Sequence, residues 1–187
     1  MGMTKSVFGK TSNGEVVHLV TVSNQKGMSI EVLDYGATLV SVNVPDKDGH
    51  TEDVALGYDD VLDYEKGDAY LGATVGRCGN RVDHAEFSIN GKEYFMEKNE
   101  GENVCHSGPR CYSRRMWDME LLEEENSVRF HLVSPNMDQG FPGTFEVTVT
   151  YTLTEENELK IHYHGTCDQD SMVNMTNHSY FNLHGQD

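Results

Sequence analysis

The sequence predicts an all-β fold, a β-sandwich or a barrel, and three observations support this prediction. Six segments alternate apolar and polar residues or are rich in β-branched residues, as strands with one buried face are. Eighteen glycines and regularly spaced turn residues separate such segments, which is typical of sandwiches and barrels. Long amphipathic helical patterns are missing from the 187 residues.

The predicted strands form an early group and a late group along the chain. They occupy residues 16–22, 28–33, 38–44, 127–134, 145–153 and 159–164. The clearest pattern is that of residues 145–151, where an apolar residue recurs at every second position. A strand that buries one face and exposes the other is expected to alternate in this way.

A tight hairpin is predicted in the middle of the chain. Residues 87–89 and 93–95 flank the dipeptide Asn90-Gly91, which is best suited to a type I′ turn. Asparagine tolerates a positive φ there, and glycine has no Cβ to accommodate. Only residues 58–66 are expected to form a short helix. Since neither a repeat nor a linker interrupts the pattern, residues 1–187 are predicted to form a single domain.

The charge balance bears on the kind of partner that the protein binds. The chain has 14 basic and 31 acidic residues, a formal net charge of −17. Nucleic-acid phosphates and anionic lipids repel such a chain, and no run of 18 apolar residues is present to span a membrane. The sequence therefore predicts neither a nucleic-acid nor a membrane partner, and it is compatible with a neutral small molecule.

The cysteines and the N-terminus predict a cytoplasmic protein. Cys78, Cys105, Cys111 and Cys167 contain no C-x-x-C pair and no regular spacing, so their even number is weak evidence for disulfides. The N-terminus has no apolar segment of the secretory type. Reduced thiols in the cytoplasm are the expectation.

No metal, phosphate-loop or serine-hydrolase site is predicted. His162 and His164 share one face of a predicted strand, but a third ligand at suitable spacing is missing. The glycines near residue 76 do not form G-x-G-x-x-G before a helix. No G-x-S-x-G motif occurs, so Ser179 beside His178 is not interpreted as a hydrolase nucleophile.

Residues 174–183 form the densest cluster of functional side chains. The segment combines amides, hydroxyls, an imidazole and two aromatic rings. Amides and imidazole can bind sugar hydroxyls, and ring faces can pack on the apolar C–H surface of a sugar. An amide-rich turn around a hydrogen-bonded core histidine is the other interpretation. The residues alone leave both open.

Several motifs resemble those of the aldose 1-epimerase family. Residues 176–183, Thr-Asn-His-Ser-Tyr-Phe-Asn-Leu, resemble the family's signature. Other parts of the chain resemble family motifs in the same order. These are residues 53–59, 72–82 and 90–94, then Asn99, Asn103 and residues 106–108, and finally residues 139–143 and 149–151. The resemblance runs from about Gly27 to the last residue. It implies a large twisted β-sandwich of the galactose mutarotase-like type.

The resemblance also implies an activity and a site. Enzymes of this family open the pyranose ring of free aldohexoses such as galactose and glucose, rotate C1 and reclose the ring, which interconverts the α and β anomers. The resemblance assigns His178 as the catalytic acid and implies that no metal or organic cofactor is needed. The substrate contacts that it implies are Asn80, Arg81, His106, Ser179 and Tyr180. The expected assembly is a monomer or a homodimer.

One departure from the family pattern concerns the general base. The resemblance implies a glutamate base and a sugar-binding aspartate, both downstream of the His178 motif. The sequence ends at Asp187, before either position. We therefore expect a β-sandwich that is incomplete at its C-terminal side, truncated before the catalytic glutamate.

Three alternatives stay open at this point. A non-catalytic carbohydrate-binding module of the same fold would keep the sugar site and lack the base. A hexose-6-phosphate 1-epimerase would use the basic cluster Arg110, Arg114 and Arg115, which is otherwise expected to be a solvated loop. A truncated chain that does not fold alone would leave sheet edges exposed.

Overall fold

The computed structural model describes residues 2–185, which are built mainly of strands. Within them lie a single α-helix, α1 (Val61–Lys66), and four 3₁₀ turns at Asp83–Ala85, Tyr112–Arg114, Glu123–Glu125 and Asp138–Gly140. The strands are β1 (Gly2–Lys10), β2 (Val16–Ser23), β3 (Ser29–Leu33), β4 (Thr38–Pro45), β5 (Thr51–Asp53), β6 (Thr74–Val75), β7 (Arg81–Val82), β8 (Glu86–Ile89), β9 (Lys92–Phe95), β10 (Val104–Cys105), β11 (Asp118–Leu122), β12 (Ser127–Ser134), β13 (Phe145–Leu153), β14 (Leu159–Cys167) and β15 (Thr176–Asn177).

Two antiparallel sheets form the layers of the molecule. The first has the strand order β1-β2-β3-β4-β5, and the second has the order β11-β12-β13-β14. Three two-stranded ladders, β6 with β15, β7 with β10 and β8 with β9, lie outside these sheets. Neither large sheet closes into a barrel, so the predicted sandwich is confirmed.

The main core lies between the two sheets. It combines buried residues of the first sheet, such as Val20 and Ile30, with residues of the second, such as Phe130 and Val149. Burying a side chain of this size contributes about 1.5–3 kcal/mol. Tyr151 adds a directed contact, because its hydroxyl donates a hydrogen bond to the carbonyl oxygen of Ala37 at 2.7 Å.

Most predicted elements are present with small changes in their bounds. β12 and β13 match their predicted ranges, and β14 extends three residues beyond its predicted end. The predicted hairpin is β8–β9, and its turn residues Asn90 and Gly91 have φ values of 52° and 78°. Both values are positive, as a type I′ turn requires.

The helix is shorter at its start than predicted. It begins at Val61 because Asp60 has an extended backbone and acts as its N-cap. The Asp60 carboxylate accepts a hydrogen bond from the Leu62 N–H at 2.7 Å, which satisfies a donor that the first turn leaves unpaired.

The prediction omitted several strands, of which β1 is the longest. β1 pairs with β2 at the edge of the first sheet, and most of its side chains on both faces are exposed. Such a strand carries little alternation between apolar and polar residues. Among residues 2–185, no helix is long and apolar enough to cross a membrane.

Candidate active site

A short ladder fixes the backbone on either side of His178. β15 (Thr176–Asn177) pairs antiparallel with β6 (Thr74–Val75). Immediately after β15, the His178 N–H donates to the carbonyl oxygen of Ala73 at 2.9 Å. The His178 carbonyl oxygen accepts from the N–H of Gly72 at 3.2 Å. Both backbone polar groups of His178 are therefore engaged, and its side chain projects from a fixed position.

The side chain of Asn177 closes the turn around His178. Its amide nitrogen donates to the Gly72 carbonyl oxygen at 2.8 Å and contacts the Tyr151 hydroxyl oxygen at 3.2 Å. Its amide oxygen accepts from the Ser179 N–H at 3.0 Å. An asparagine that bonds to the backbone two residues ahead forms an Asx turn, so this amide links the histidine segment to the core.

A second short ladder places Arg81 beside His106. β7 and β10 pair antiparallel, with Arg81 opposite Cys105. The next residue, His106, donates its N–H to the Asn80 carbonyl oxygen at 2.9 Å. In return, the Asn80 N–H donates to Nδ1 of His106 at 3.1 Å. Because Nδ1 accepts this bond, the neutral ring carries its proton on Nε2.

Two tyrosine rings lie close to the two histidines, so that four aromatic rings form one cluster. The ring centroids of His106 and His178 are 5.0 Å apart, and the ring planes meet at 87°. Tyr70 lies 4.7 Å from His106 and 5.7 Å from His178. The ring centroid of Tyr180 lies 5.3 Å from that of His178. The two imidazoles thus share one aromatic wall.

Arg81 is anchored by a carboxylate. Its Nε and Nη2 atoms donate to the two carboxylate oxygens of Glu100, each at 2.6 Å. Its Nη1 atom donates to the amide oxygen of Asn80 at 3.1 Å. These bonds use three of the five guanidinium N–H groups.

The histidines and Arg81 line two adjoining clefts. We name the first, of about 440 Å³, the Tyr70 cleft. We name the second, of about 490 Å³, the Asn80 cleft. Both volumes suit a small-molecule ligand. The Tyr70 cleft is lined by Asp68, Ala69, Tyr70, Arg81, Asn99, Glu100, Cys105, His106, His178 and Tyr180. The Asn80 cleft is lined by Gly79, Asn80, Arg81, His106, Asn174, Met175, Thr176 and His178.

The environment of His106 favours its neutral form. Burial lowers the pKa of His106 below its ordinary value of 6.5, and the neighbouring His178 and Arg81 lower it further. The Glu100 carboxylate acts in the opposite direction. A neutral His106 whose Nδ1 is already occupied can offer a ligand the N–H of its Nε2.

The structure brings together five of the six predicted site residues. Asn80, Arg81, His106, His178 and Tyr180 line one or both clefts. The sixth, Ser179, lines neither cleft, and its hydroxyl oxygen is buried without a hydrogen-bond partner. A sugar contact by Ser179 therefore stays a prediction.

The site residues predicted from the sequence do not include Tyr70, Asp68 or Glu100, which also line the Tyr70 cleft. Tyr70 contacts both histidine rings, and Asp68 and Glu100 add carboxylates to the lining. Tyr70 lies two residues before the glycine-rich segment 72–82, and this proximity to a family motif could have indicated it as a site residue. Glu100 reaches the cleft from a separate turn, and no local pattern marks it.

The basic cluster lies outside these two clefts. The Arg115 guanidinium donates to both carboxylate oxygens of Asp138, at 2.7 and 2.9 Å, and also to the carbonyl oxygen of Arg110. With Arg114, these residues line a different cleft of about 400 Å³. The charge of Arg115 is therefore largely compensated by Asp138.

The two histidines of β14 line neither of the two clefts. His162 and His164 are exposed on this strand. Across residues 2–185, no group of three or more His, Cys, Asp or Glu side chains is arranged to hold a metal ion.

Comparisons with known proteins match this chain to aldose 1-epimerases and galactose mutarotases. Residues 18–187 match the family model described as aldose 1-epimerase. The chain is 43% identical over 171 residues to an aldose 1-epimerase of Haemophilus influenzae, which covers 91% of this chain and 49% of that protein. It is 37% identical over 188 residues to the galactose mutarotase of Sus scrofa, covering 100% of this chain and 54% of that protein.

Solved structures agree with the sequence comparisons. The galactose 1-epimerase of Lactobacillus acidophilus superposes with a TM-score of 0.86 at 29% identity, covering 98% of this chain and 54% of that one. An aldose epimerase homologue from C. elegans gives a TM-score of 0.83 at 38% identity, covering 89% and 51%. The chain spans about half the length of the relatives that it matches.

Proposed function

Because the chain belongs to the aldose 1-epimerase family, we propose that it acts in interconverting the α and β anomers of free aldohexoses such as galactose and glucose. The observation that carries this proposal is the pairing of His106 and His178, 5.0 Å apart, in a cleft that also contains Arg81 and two tyrosines. Ring opening needs a proton donor at the ring oxygen and a proton acceptor at the C1 hydroxyl.

His178 is the proposed general acid. Imidazole is well suited to giving and regaining a proton near neutral pH. The backbone bonds of His178 to Ala73 and Gly72 hold its ring in one place, and a fixed donor is needed for efficient transfer. In the proposed step His178 protonates the ring oxygen as the C1–O bond breaks. After rotation about C1–C2, the same residue recovers the proton on ring closure.

His106 and Arg81 are the proposed binding groups. The Nε2–H of a neutral His106 can donate a hydrogen bond to a sugar oxygen. Arg81 retains two N–H groups beyond those bonded to Glu100 and Asn80, and planar guanidinium groups suit adjacent hydroxyls. Developing negative charge on the substrate oxygen is stabilised by such preorganised donors.

The aromatic residues are proposed to pack on the sugar ring. Tyr70 and Tyr180 both line the cleft and lie near the His178 ring, and Tyr180 is 44% exposed. The C–H face of a hexose is apolar and packs against aromatic rings. Asn80 and Ser179 complete the set of proposed contacts. Asn80 lines the Asn80 cleft, and Ser179 directly follows His178 in the chain.

The general base completes the reaction. The resemblance implies a glutamate for this role, C-terminal to the His178 motif. The residues of the described site supply the acid and the sugar contacts.

We propose that these 187 residues form one mutarotase-like β-sandwich domain, and that the protein is cytoplasmic and monomeric or homodimeric. The four free thiols are in keeping with a reducing compartment.

Polarimetry tests the proposed function directly. Freshly dissolved α-D-galactose and α-D-glucose are followed with the protein and with buffer alone. We expect the optical rotation to relax faster than the spontaneous rate, in proportion to protein concentration. A folded chain that binds either sugar in calorimetry and leaves the relaxation unchanged would contradict epimerase activity of these 187 residues and favour a carbohydrate-binding module.

A further inference from the structure

We propose that Glu100 is a positioning residue for Arg81, and that its carboxylate makes the Tyr70 cleft prefer uncharged sugars over anionic ones. The inference rests on the proposed function and deepens it by naming a determinant of substrate class. Arg81 and Glu100 both line the cleft.

The geometry of the pair fixes the plane of the guanidinium. Two parallel bonds of 2.6 Å join Nε and Nη2 of Arg81 to the two oxygens of Glu100. A bidentate pair of this kind adds orientation as well as energy. The bond from Nη1 to the amide oxygen of Asn80 adds a third restraint. These three bonds therefore orient Arg81 relative to His106, whose Nδ1 accepts a hydrogen bond from the Asn80 N–H.

The turn that carries Glu100 is itself held in place. The Glu100 N–H donates to the Asn103 carbonyl oxygen at 3.2 Å. The neighbouring Asn99 side chain accepts from the Cys105 N–H at 2.7 Å and donates to the Cys105 carbonyl oxygen at 3.0 Å. Cys105 lies opposite Arg81 in the β7–β10 ladder. Both partners of the ion pair are thus fixed to the same ladder before a ligand arrives.

The Arg81–Glu100 pair leaves two N–H donors of Arg81 free for a ligand and has no net charge. Two guanidinium N–H groups stay available for sugar hydroxyls, while the Glu100 carboxylate compensates the positive charge. The cleft lining contains one more carboxylate, that of Asp68. A sugar phosphate brings a charge of about −1.5 to −2 at neutral pH. Such a ligand meets two carboxylates and one guanidinium, whereas a neutral hexose loses nothing by this arrangement.

The test compares two substitutions of Glu100 with a control in the same turn. Glu100→Gln removes the charge and keeps the shape, and Glu100→Ala removes both bonds to Arg81. Glu102→Gln makes the same change of charge one residue beyond Gly101. Glu102 pairs with Lys98 and lines neither cleft. Each protein is assayed by polarimetry with D-galactose and with D-galactose 6-phosphate.

We expect KM for galactose to rise about fivefold to tenfold in Glu100→Ala, with kcat within about twofold, because a binding donor is misplaced. The ratio of kcat/KM for the phosphate to that for galactose is expected to rise about tenfold in both Glu100 variants. Glu102→Gln is expected to match the wild type. If Glu100 had only a structural role, its substitution would lower kcat/KM for both substrates by the same factor and leave their ratio unchanged.

The outcomes separate the inference from the proposed function. A wild-type protein that neither turns over nor binds galactose overturns both. A wild type that turns over galactose, with the substrate ratio unchanged in both Glu100 variants, overturns the inference alone. If galactose binds without turnover, the affinities (1/Kd) for galactose 6-phosphate and galactose are measured by calorimetry, and their ratio replaces the ratio of kcat/KM values. An NMR signal of the Arg81 Nε–H that is protected from exchange in the wild type and lost in Glu100→Ala supports the positioning role without substrate.

Discussion

The imidazole rings of His106 and His178 meet at 87° with their centroids 5.0 Å apart. Two rings this close cannot both take up a proton without mutual repulsion. Burial, His178 and Arg81 all lower the pKa of His106, and Nδ1 of this ring is occupied by the Asn80 N–H. The asymmetry favours the neutral form of His106, which is in keeping with the proposal that His178 exchanges a proton with the substrate.

Removing His178 is expected to raise the pKa of His106. Burial would still hold that pKa below 6.5, because desolvation is the largest cause of the shift. The variant His178→Gln removes the second cause and Arg81→Gln the third. NMR titration of the His106 ring signals measures the change. His162→Gln, on the exposed face of β14, is the control, and a His106 pKa that is the same in all four proteins would contradict the coupling.

The same lowered pKa predicts how stability depends on pH. Above 6.5, the ordinary pKa of histidine, His106 is neutral in the folded and the unfolded protein. As the pH falls below that value, the unfolded chain takes up a proton before the folded one does, so the free energy of unfolding decreases. Urea unfolding between about pH 5.5 and pH 7.5 measures this slope. His106→Asn is expected to show a smaller slope than the wild type, and an equal slope would contradict the assignment.

Substitution of the proposed acid tests the mechanism. His178→Ala in an active protein is expected to lower kcat about 10²-fold to 10⁴-fold, the usual range for a positioned general acid. Its backbone bonds to Ala73 and Gly72 do not involve the side chain, so the fold is expected to persist in circular dichroism. His162→Ala is the matched control. Near-normal mutarotation by His178→Ala would show that another group donates the proton.

Sequence patterns predicted the parts of the fold in which burial follows one face of a strand. β13 buries every second side chain from Phe145 to Leu153, and its bounds were predicted without error. β1 exposes most residues on both faces, so its formation depends on pairing with β2 rather than on its own pattern. Edge strands of this kind are defined by a neighbour that the local sequence does not contain.

The site was predictable where its residues lie inside motifs. Arg81, His106 and His178 each belong to a segment that resembles the family, and the structure brings them to one wall. Glu100 was not predictable, because its position depends on hydrogen bonds between its turn and β10. The buried hydroxyl of Ser179 likewise follows from the Asx turn of Asn177, which a list of residue types does not reveal.

Arg77 lies in the same glycine-rich segment as Arg81 and has a different environment. Its side chain is fully buried. Nη1 donates to the carbonyl oxygens of Pro142 and Gly143 and to the Ser171 hydroxyl, at 2.8, 3.1 and 3.0 Å. Nη2 donates to the Ser134 hydroxyl oxygen at 2.8 Å. The guanidinium thus joins the end of β12 to the loops around it.

Loss of Arg77 is expected to destabilise the protein strongly. Arg77→Ala removes several buried bonds and leaves carbonyl oxygens unpaired, which costs about 3–5 kcal/mol of unfolding free energy. Arg129→Ala is the control, since Arg129 forms an exposed pair with Glu120 and such pairs contribute about 0–1 kcal/mol. Urea unfolding measures both. Equal losses in the two variants would contradict the structural role of Arg77.

Gly72 links the His178 backbone to strand β4. Its N–H donates to the His178 carbonyl oxygen at 3.2 Å, and its own carbonyl oxygen accepts from the Leu39 N–H at 2.8 Å. Its φ is +62°, and a Cβ at this position would lie 1.8 Å from the Leu39 carbonyl oxygen. That oxygen belongs to the backbone of β4, so it cannot yield as a side chain would.

We therefore expect Gly72→Ala to displace the His178 segment as well as to destabilise the fold. The overlap with β4 adds to the strain of a positive φ, for a total of at least about 2–3 kcal/mol. Gly91→Ala separates the two causes, because Gly91 has a φ of +78° and nothing within 4 Å of a Cβ. It is expected to cost about 1 kcal/mol and to leave mutarotation unchanged. Urea unfolding and polarimetry on both variants measure the difference. If the two glycine variants lost the same stability and kept the same activity, the contact between Gly72 and β4 would not be what holds His178 in place.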